Sequence, residues 1–557
     1  MEFNLGTIDM VTIAIFLAAI VALGCWVGWI QRHSTKSSDY FLGSRSLIWP
    51  WIGLSLFASN ISAIELVGLA EEGYKRGLVY GNLEWMAGVT LIILAIFFAP
   101  FYIRSKVATL PDFLLKRYNN KCRIFEVSMA MFTAIFIHTG FTLFAGAKVL
   151  QLLFDMPMMI SMTIIVALTG LYTIVGGLKG VVLTDSLAAI VLIAGSIVMT
   201  VIGFNMIGGW EGLTASVESV RFHMLRSDDA ARDMSWYAVF LGYPIIGIWY
   251  FCTDQTICQR VLGAKDENHA RTGALFAGFI KVIPVFVFVM PGLILFALLQ
   301  SNPGAFPAFP LKADGTEDTA MAYGYMIVHI LPIGVKGLVT AAMLAAVMST
   351  LSSVFNSVAT VVCYDLYKPM RPSASEMDLI RVGRIVIGVT VVLAILWASQ
   401  ISKFGTILEV NTKMICYVAP AVTAVFLAGV LWKGASGRGA FITLCAGTIM
   451  GAIIFVADVW SGLWSQLPGL SSVFNYLWRD WSFMVIGFWL FVVSCVILYF
   501  TSLRYPHEHT AESERLVWER ALAALRRPGW GGLANYKFLS VLLLALLALG
   551  YTLLQLV

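Results

Sequence analysis

The stretch FASNISAIEL, Phe57 to Leu66, puts Asn60, Ser62 and Glu65 inside an apolar run from Trp49 to Ala70 that is long enough to cross a bilayer. Lipid offers no hydrogen-bonding partner, so polar groups at that depth point to an unwound segment whose backbone carbonyls line a cavity or hold an ion. The alternative is that Asn60 and Ser62 act only as hydrogen-bonding glue between neighbouring helices. Two further ionisable residues lie within apolar runs, Glu84 in GNLEW and Lys281 in FAGFIKVIPVF. Ionisable groups inside spans mark functional sites by default. Lys281 lies too deep to reach the cytoplasmic surface without strain.

A second polar pattern runs through AAVMSTLSSVFNS, where Ala346, Ser349, Thr350 and Ser353 follow i, i+3, i+4, i+7 spacing. Small and hydroxyl side chains then share one face of a helix. Neutral oxygens suit a hard monovalent cation such as Na+, whereas uncompensated carboxylates favour divalent ions or protons. The same stripe also suits close helix packing. Asp185, in LTDSL, stands at the expected start of a helix, where an acid is commonly a cap. His138, alone in FIHTG, reads as a packed helix residue.

These residues need a membrane scaffold, and the composition supplies one. Of 557 residues 59% are hydrophobic and 12% charged, and the mean hydropathy is +0.84. Such values belong to a polytopic membrane protein and leave almost nothing for a soluble domain. About fourteen apolar segments of spanning length can be marked, including 48–71, 157–177, 183–208, 235–258 and 405–432. The net charge of +5 is divided among loops and reads as topology, which excludes a nucleic-acid surface. Lys and Arg recur in every second loop, among them Arg260, Lys265 and Arg271 after the seventh segment. Those loops are cytoplasmic by the positive-inside rule, so both termini are expected outside. No HExxH, P-loop or G-x-S-x-G motif is present, so an enzyme is not expected.

The interrupted segment 48–71 runs from inside to outside. Five segments later, 235–262 runs the opposite way and carries Gly242, Pro244 and Gly247 before WYFCTDQ. Interrupted helices of opposite direction at the head of two five-helix blocks are the signature of inverted repeats in secondary transporters. The expected fold is therefore all-α. Residues 1–46 hold an additional helix and loop, 47–208 the first repeat, 209–234 an external loop, 235–432 the second repeat and 433–557 three further helices.

The strings SNIS (59–62), LEW (83–85), YTIVGGLKGVVLTDSL (172–187), YFCTDQTICQRVLGAK (250–265), FIKVIPVFVFVMPG (279–292), MSTLSSVFNS (348–357) and APAVTAVFLAGVLWK (419–433) resemble the sodium/solute symporter family, and within it the sodium/glucose cotransporter branch. The resemblance runs from about residue 40 to 440. It implies a LeuT-type five-plus-five inverted-repeat core, with Na+ and a small solute, a sugar or another hydroxylated molecule, as partners in a lipid bilayer. It assigns a main Na+ site to Ala58, Ile61, Ala346, Ser349 and Thr350, and a second Na+ to Asp185, Ser352 and Ser353. Solute residues fall on Asn60, Glu84 and Lys281, with Tyr250 as an aromatic ring closing the inner side. This chain departs from the branch at Glu65 (usually Gln or His), Phe251 (usually Trp), Gly247 (usually polar) and Thr412 (commonly Gln). These departures open the solute to a polyol or inositol. Glu65 keeps proton coupling as an alternative, and a transporter-fold solute sensor is another. A multi-pass protein of the cell membrane, in a bacterial inner membrane, is the expected location.

Overall fold

In a computed structural model, residues 5–30, 36–154, 156–302, 304–311, 315–401, 407–459, 481–506 and 510–557 are described. They are helical, and the only strand-like features among them are three isolated bridges. Among the described residues twelve helices are long and apolar enough to span a membrane, and one bent pair adds a thirteenth span.

The spans are α1 (Thr7–Ile30), the pair α2 (Trp49–Asn60) and α3 (Ala63–Arg76), α4 (Leu78–Arg104), α5 (Asn120–Gln151), α6 (Met158–Ile207) and α7 (Trp236–Thr253), which continues into the short α8 (Gln255–Leu262). Then follow α9 (Glu267–Ser301), α10 (Val335–Met370), α11 (Glu376–Ala398), α12 (Ile407–Leu431), α13 (Gly437–Val459), α14 (Phe483–Arg504) and α15 (Tyr536–Gln555). The helix α6 has 50 residues and breaks at Gly177, where φ is +56°. At a rise of about 1.5 Å per residue it is more than twice as long as a hydrocarbon core of about 30 Å. The two spans expected at 157–177 and 183–208 meet at this glycine without a loop, which brings the spans to the fourteen expected.

Burial ranks the helices. In α10, 94% of the apolar window is buried inside the protein, against 22% in α1 and α15. A helix covered on every side is central, and its Ser and Thr residues face protein rather than lipid.

Glycines set the closest approaches. A Cβ on Gly73 would lie 2.1 Å from the Val289 carbonyl oxygen, and one on Gly292 would lie 1.9 Å from that of Ala70. The second half of the broken span, α3, thus rests backbone to backbone on α9, the small-residue contact that membrane helices use in place of a hydrophobic drive. No flexible side chain can yield there. Gly292→Val is expected to lower the Tm sharply or abolish recovery of folded protein in size-exclusion chromatography, whereas Gly388→Val, at a glycine with open space, leaves both unchanged.

Two expectations are corrected. Gly242, Pro244 and Gly247 lie within helical α7, and the chain breaks at Asp254, whose backbone is extended. A proline is tolerated inside a membrane helix because neighbouring groups re-satisfy the freed carbonyl. The carbonyl that Pro244 frees is that of Phe240, one turn earlier; separately, Thr423 donates to the Ile245 carbonyl at 3.0 Å and ties α12 to the turn after the proline. Arg260 and Arg271, counted as loop charges, are fully buried. Arg271 pairs with Glu267 at 2.7 Å and lies over the Tyr536 ring, 4.2 Å from its centroid.

Candidate cation and solute site

In α2 the helical ladder ends with the Ile61 N–H, which donates to the Phe57 carbonyl at 3.0 Å. The next N–H, of Ser62, turns to Glu65 Oε2 at 2.9 Å. Ser62 Oγ accepts from the Ile64 N–H at 3.1 Å, and its hydroxyl also bonds the Glu65 carboxylate. This S-x-x-E pair is a capping box that starts α3. The carbonyls of Ala58 to Ile61 therefore fall between two ladders, and the two halves meet at a 64° bend.

The hydroxyl face of α10 fills that gap. Thr350 Oγ1 donates to the Ser59 carbonyl at 3.4 Å and reaches the Ala346 carbonyl at 3.3 Å. Ser349 Oγ is buried and has no partner among the described residues. Buried hydroxyls are normally satisfied, so an orphan one residue before Thr350 suits a bound ion. These donors are neutral oxygens and fit Na+.

Across the break, the Asn60 side chain leads to charged groups. Its carbonyl oxygen accepts from Lys281 Nζ, which lies 2.6 Å from Glu84 Oε2. Lys281 and Glu84 are both buried. Local structure prepares each charge. The first segment of α9, Glu267–Ile280, ends at Lys281 because Pro284 has no N–H for the Ile280 carbonyl, so the ammonium stands at a negative helix end. Glu84 stands in the first turn of Asn82–Ile93, at a positive end. The last helix braces this turn, since Tyr551 donates to Asn82 Oδ1 at 2.8 Å and packs edge-on against Trp85 at 4.9 Å.

The remaining solute candidates lie on α3, α7 and α12. Tyr250 is half-buried in the π-helical turn Trp249–Thr253 just before the break at Asp254, while Phe251 is buried and meets it edge-on at 5.0 Å. Thr412 is half-buried on α12 beside Lys413, which pairs with Asp458 at 3.1 Å. A Cβ on Gly247 would lie 2.6 Å from Thr90 Cγ2, so that position is filled by packing and leaves no vacated pocket. Glu65 is held in the capping box. Ser62→Ala is expected to cost about 1 kcal/mol through the lost cap, read as a lower Tm. Glu65→Gln, which keeps an acceptor for the Ser62 N–H, should lose less.

A second polar cluster surrounds Asp185, which lies two turns inside the helix that follows Gly177 and caps nothing. Its Oδ2 accepts from Ser55 at 2.9 Å, Ser59 at 3.4 Å and Ser353 at 3.5 Å, while Oδ1 has no partner. Ser352 Oγ donates within its own helix to the Ser349 carbonyl at 2.9 Å. Arg260 Nη2 lies 3.6 Å from Asp185 Oδ2.

Sequence reasoning did not single out Ser55, Ser59 or Arg260. An i, i+4 spacing of Ser55 and Ser59 ahead of the break was the available signal for the first two. His138 is also more than packing. Its Nε2 lies 3.1 Å from Asp254 Oδ2, and Asp254 in turn caps α8 by accepting from the Ile257 N–H at 3.2 Å.

Comparison with known proteins gives the family and the fold. The profile of the sodium:solute symporter family matches residues 40–447. A sodium/mannose cotransporter of Bos taurus is 34% identical over 542 residues, covering 92% of this chain and 89% of its own. Sodium/glucose cotransporter 1 of Mus musculus is 32% identical over 534 residues, covering 90% and 79%. Among solved structures, a Na+-coupled sialic acid symporter in a substrate-bound outward-open state superposes with a TM-score of 0.77 at 21% identity, covering 91% of this chain and 100% of its own. Mhp1, a nucleobase-cation-symport-1 family transporter, reaches 0.52 at 14% identity, covering 87% and 98%. The multi-pass helical architecture is that of the LeuT-type transporters, and the chain belongs to the sodium:solute symporter family.

Proposed function

We propose that the chain couples Na+ entry to uptake of a sugar or similarly hydroxylated solute by alternating access. The observation that carries this reading is the single break at Asn60–Ser62. On one side it meets the α10 hydroxyls through the Ser59 carbonyl, and on the other it meets Lys281 and Glu84 through the Asn60 side chain. An ion that orders the break orders Asn60 as well, so cation binding creates the solute site.

Ala58, Ile61, Ala346, Ser349 and Thr350 hold the main Na+, and Asp185 with Ser352 and Ser353 a second. Asn60, Glu84 and Lys281 offer donors and acceptors to hydroxyls, and the Tyr250 face covers the apolar side of a pyranose ring. Glu65, Phe251 and Thr412 tune which solute fits. One charge crossing 100 mV is worth about 2.3 kcal/mol, and a tenfold Na+ gradient adds about 1.4 kcal/mol. One Na+ then supports roughly 500-fold accumulation. The coupling needs a cell membrane that carries both a potential and a Na+ gradient, and the inner membrane of a bacterium is our assignment.

A thermal-shift screen of sugars and polyols, with and without Na+, tests the reading, because a ligand that binds only the native state stabilises it by mass action. The expected result is a sugar or polyol that raises the Tm only when Na+ is present. A solute shift of equal size in choline would reject sodium coupling of the site.

A further inference from the structure

Arg260 is fully buried on α8, the stub that begins after the break at Asp254. Its guanidinium is spent on the residues around Asp185. Nη2 bonds Ser353 Oγ and lies 3.6 Å from Asp185 Oδ2, Nε donates to Ser55 Oγ at 3.3 Å, and Nη1 bonds the Thr256 carbonyl of its own helix. The other carboxylate oxygen, Oδ1, and the Ser349 hydroxyl are buried without partners. A buried carboxylate demands one compensating charge, and the arginine supplies it from a segment that is hinged at an extended residue.

We infer that Arg260 is a tethered substitute for the second Na+, taking its place at Asp185 and Ser353 so that the carrier can return empty across the membrane. This rests on the proposed sodium coupling. When Na+ binds, it claims the Ser353 oxygen and the Asp185 charge, and the guanidinium must withdraw. When Na+ leaves, Arg260 re-docks and the carboxylate is never left bare. The residue touches neither solute nor the main Na+ site, so it is a positioning residue for the return step.

The test compares full-length wild type with Arg260→Gln, which keeps hydrogen-bond donors and removes the charge. Two readouts are taken: the Na+ concentration for half-maximal thermal shift without solute, and labelled-sugar flux in proteoliposomes measured both as exchange, with Na+ and sugar on both sides, and as net uptake into sugar-free vesicles. With its competitor gone, Na+ is expected to act at a concentration at least tenfold lower. Net uptake, which needs empty return, should fall at least tenfold while exchange stays within about threefold of wild type. An unchanged or raised Na+ requirement, or parallel loss of both fluxes, would overturn the inference. If Arg260→Gln fails to fold, Asp185→Asn/Arg260→Gln, which leaves no charge to balance, is expected to restore folding, and failure of that double variant makes Arg260 merely structural. Absence of any Na+-dependent shift or exchange in the wild type would instead reject the sodium coupling beneath it.

Discussion

Lys281→Ala is expected to weaken solute binding by at least tenfold while leaving half-saturation by Na+ within about twofold. A hydrogen bond to a charged group contributes about 1.5–3 kcal/mol, or roughly 10- to 150-fold in affinity. Lys281 also holds Asn60 and Glu84 in position, so its loss disorders two further contacts. Removing one partner of a buried pair costs about 3–5 kcal/mol because the other charge is left uncompensated. Glu84→Ala should therefore act on solute in the same direction. Lys281→Met/Glu84→Gln removes both charges and separates the effects, since it should fold better than either single variant yet still fail to bind solute. The check is calorimetric titration of Na+ and of the sugar found in the thermal-shift screen. Wild-type solute affinity in either single variant would return the pair to a structural role.

The second large effect concerns stoichiometry. Two Na+ per solute lift the limit of accumulation from roughly 500-fold to more than 10⁵-fold, at the same energy per ion. Solute-coupled current should then reverse with a slope of about 30 mV per decade of solute gradient, against about 59 mV for one charge. Asp185→Asn and Ser353→Ala are expected to move the slope from the first value to the second. Ser352 spends its proton on the Ser349 carbonyl and keeps its lone pairs for a cation, so Ser352→Ala should do the same. One charge per solute in the wild type, or no change in any variant, would remove the second site.

Much of this was legible in the sequence, for physical reasons. Apolar runs of spanning length announce helices because lipid leaves the backbone no alternative. Polar residues inside such a run, as at Asn60 to Glu65, announce a break. The position of a break was harder to read. Glycine and proline drew attention to Gly242 and Pro244, yet α7 carries both and opens at Asp254, where the side chain caps the next segment. The S-x-x-E pattern at Ser62 to Glu65 was the overlooked signal for the first break. It gives Glu65 a capping task that spacing alone did not suggest.

Charge was misleading in detail. Arg260 was counted among the loop cations, but tertiary packing took that side chain out of the loop and into the cluster at Asp185. Contacts between distant segments leave no local pattern, and the pairs His138–Asp254 and Lys281–Glu84 are of this kind. The role of the last helix was likewise unreadable. Only the fold shows Tyr551 against Asn82, two residues from the acid that meets Lys281.

The most direct measurement is uptake of labelled sugar into proteoliposomes holding the purified chain, with an inward Na+ gradient and a K+-valinomycin potential. Glucose, mannose and inositol serve as first probes. The account predicts accumulation above the external concentration that rises as the interior is made more negative and vanishes when choline replaces Na+. Uptake driven equally well by a pH gradient without Na+, or sugar levels in Na+-loaded assays no higher than in protein-free vesicles for every hydroxylated solute that stabilises the chain, would contradict it.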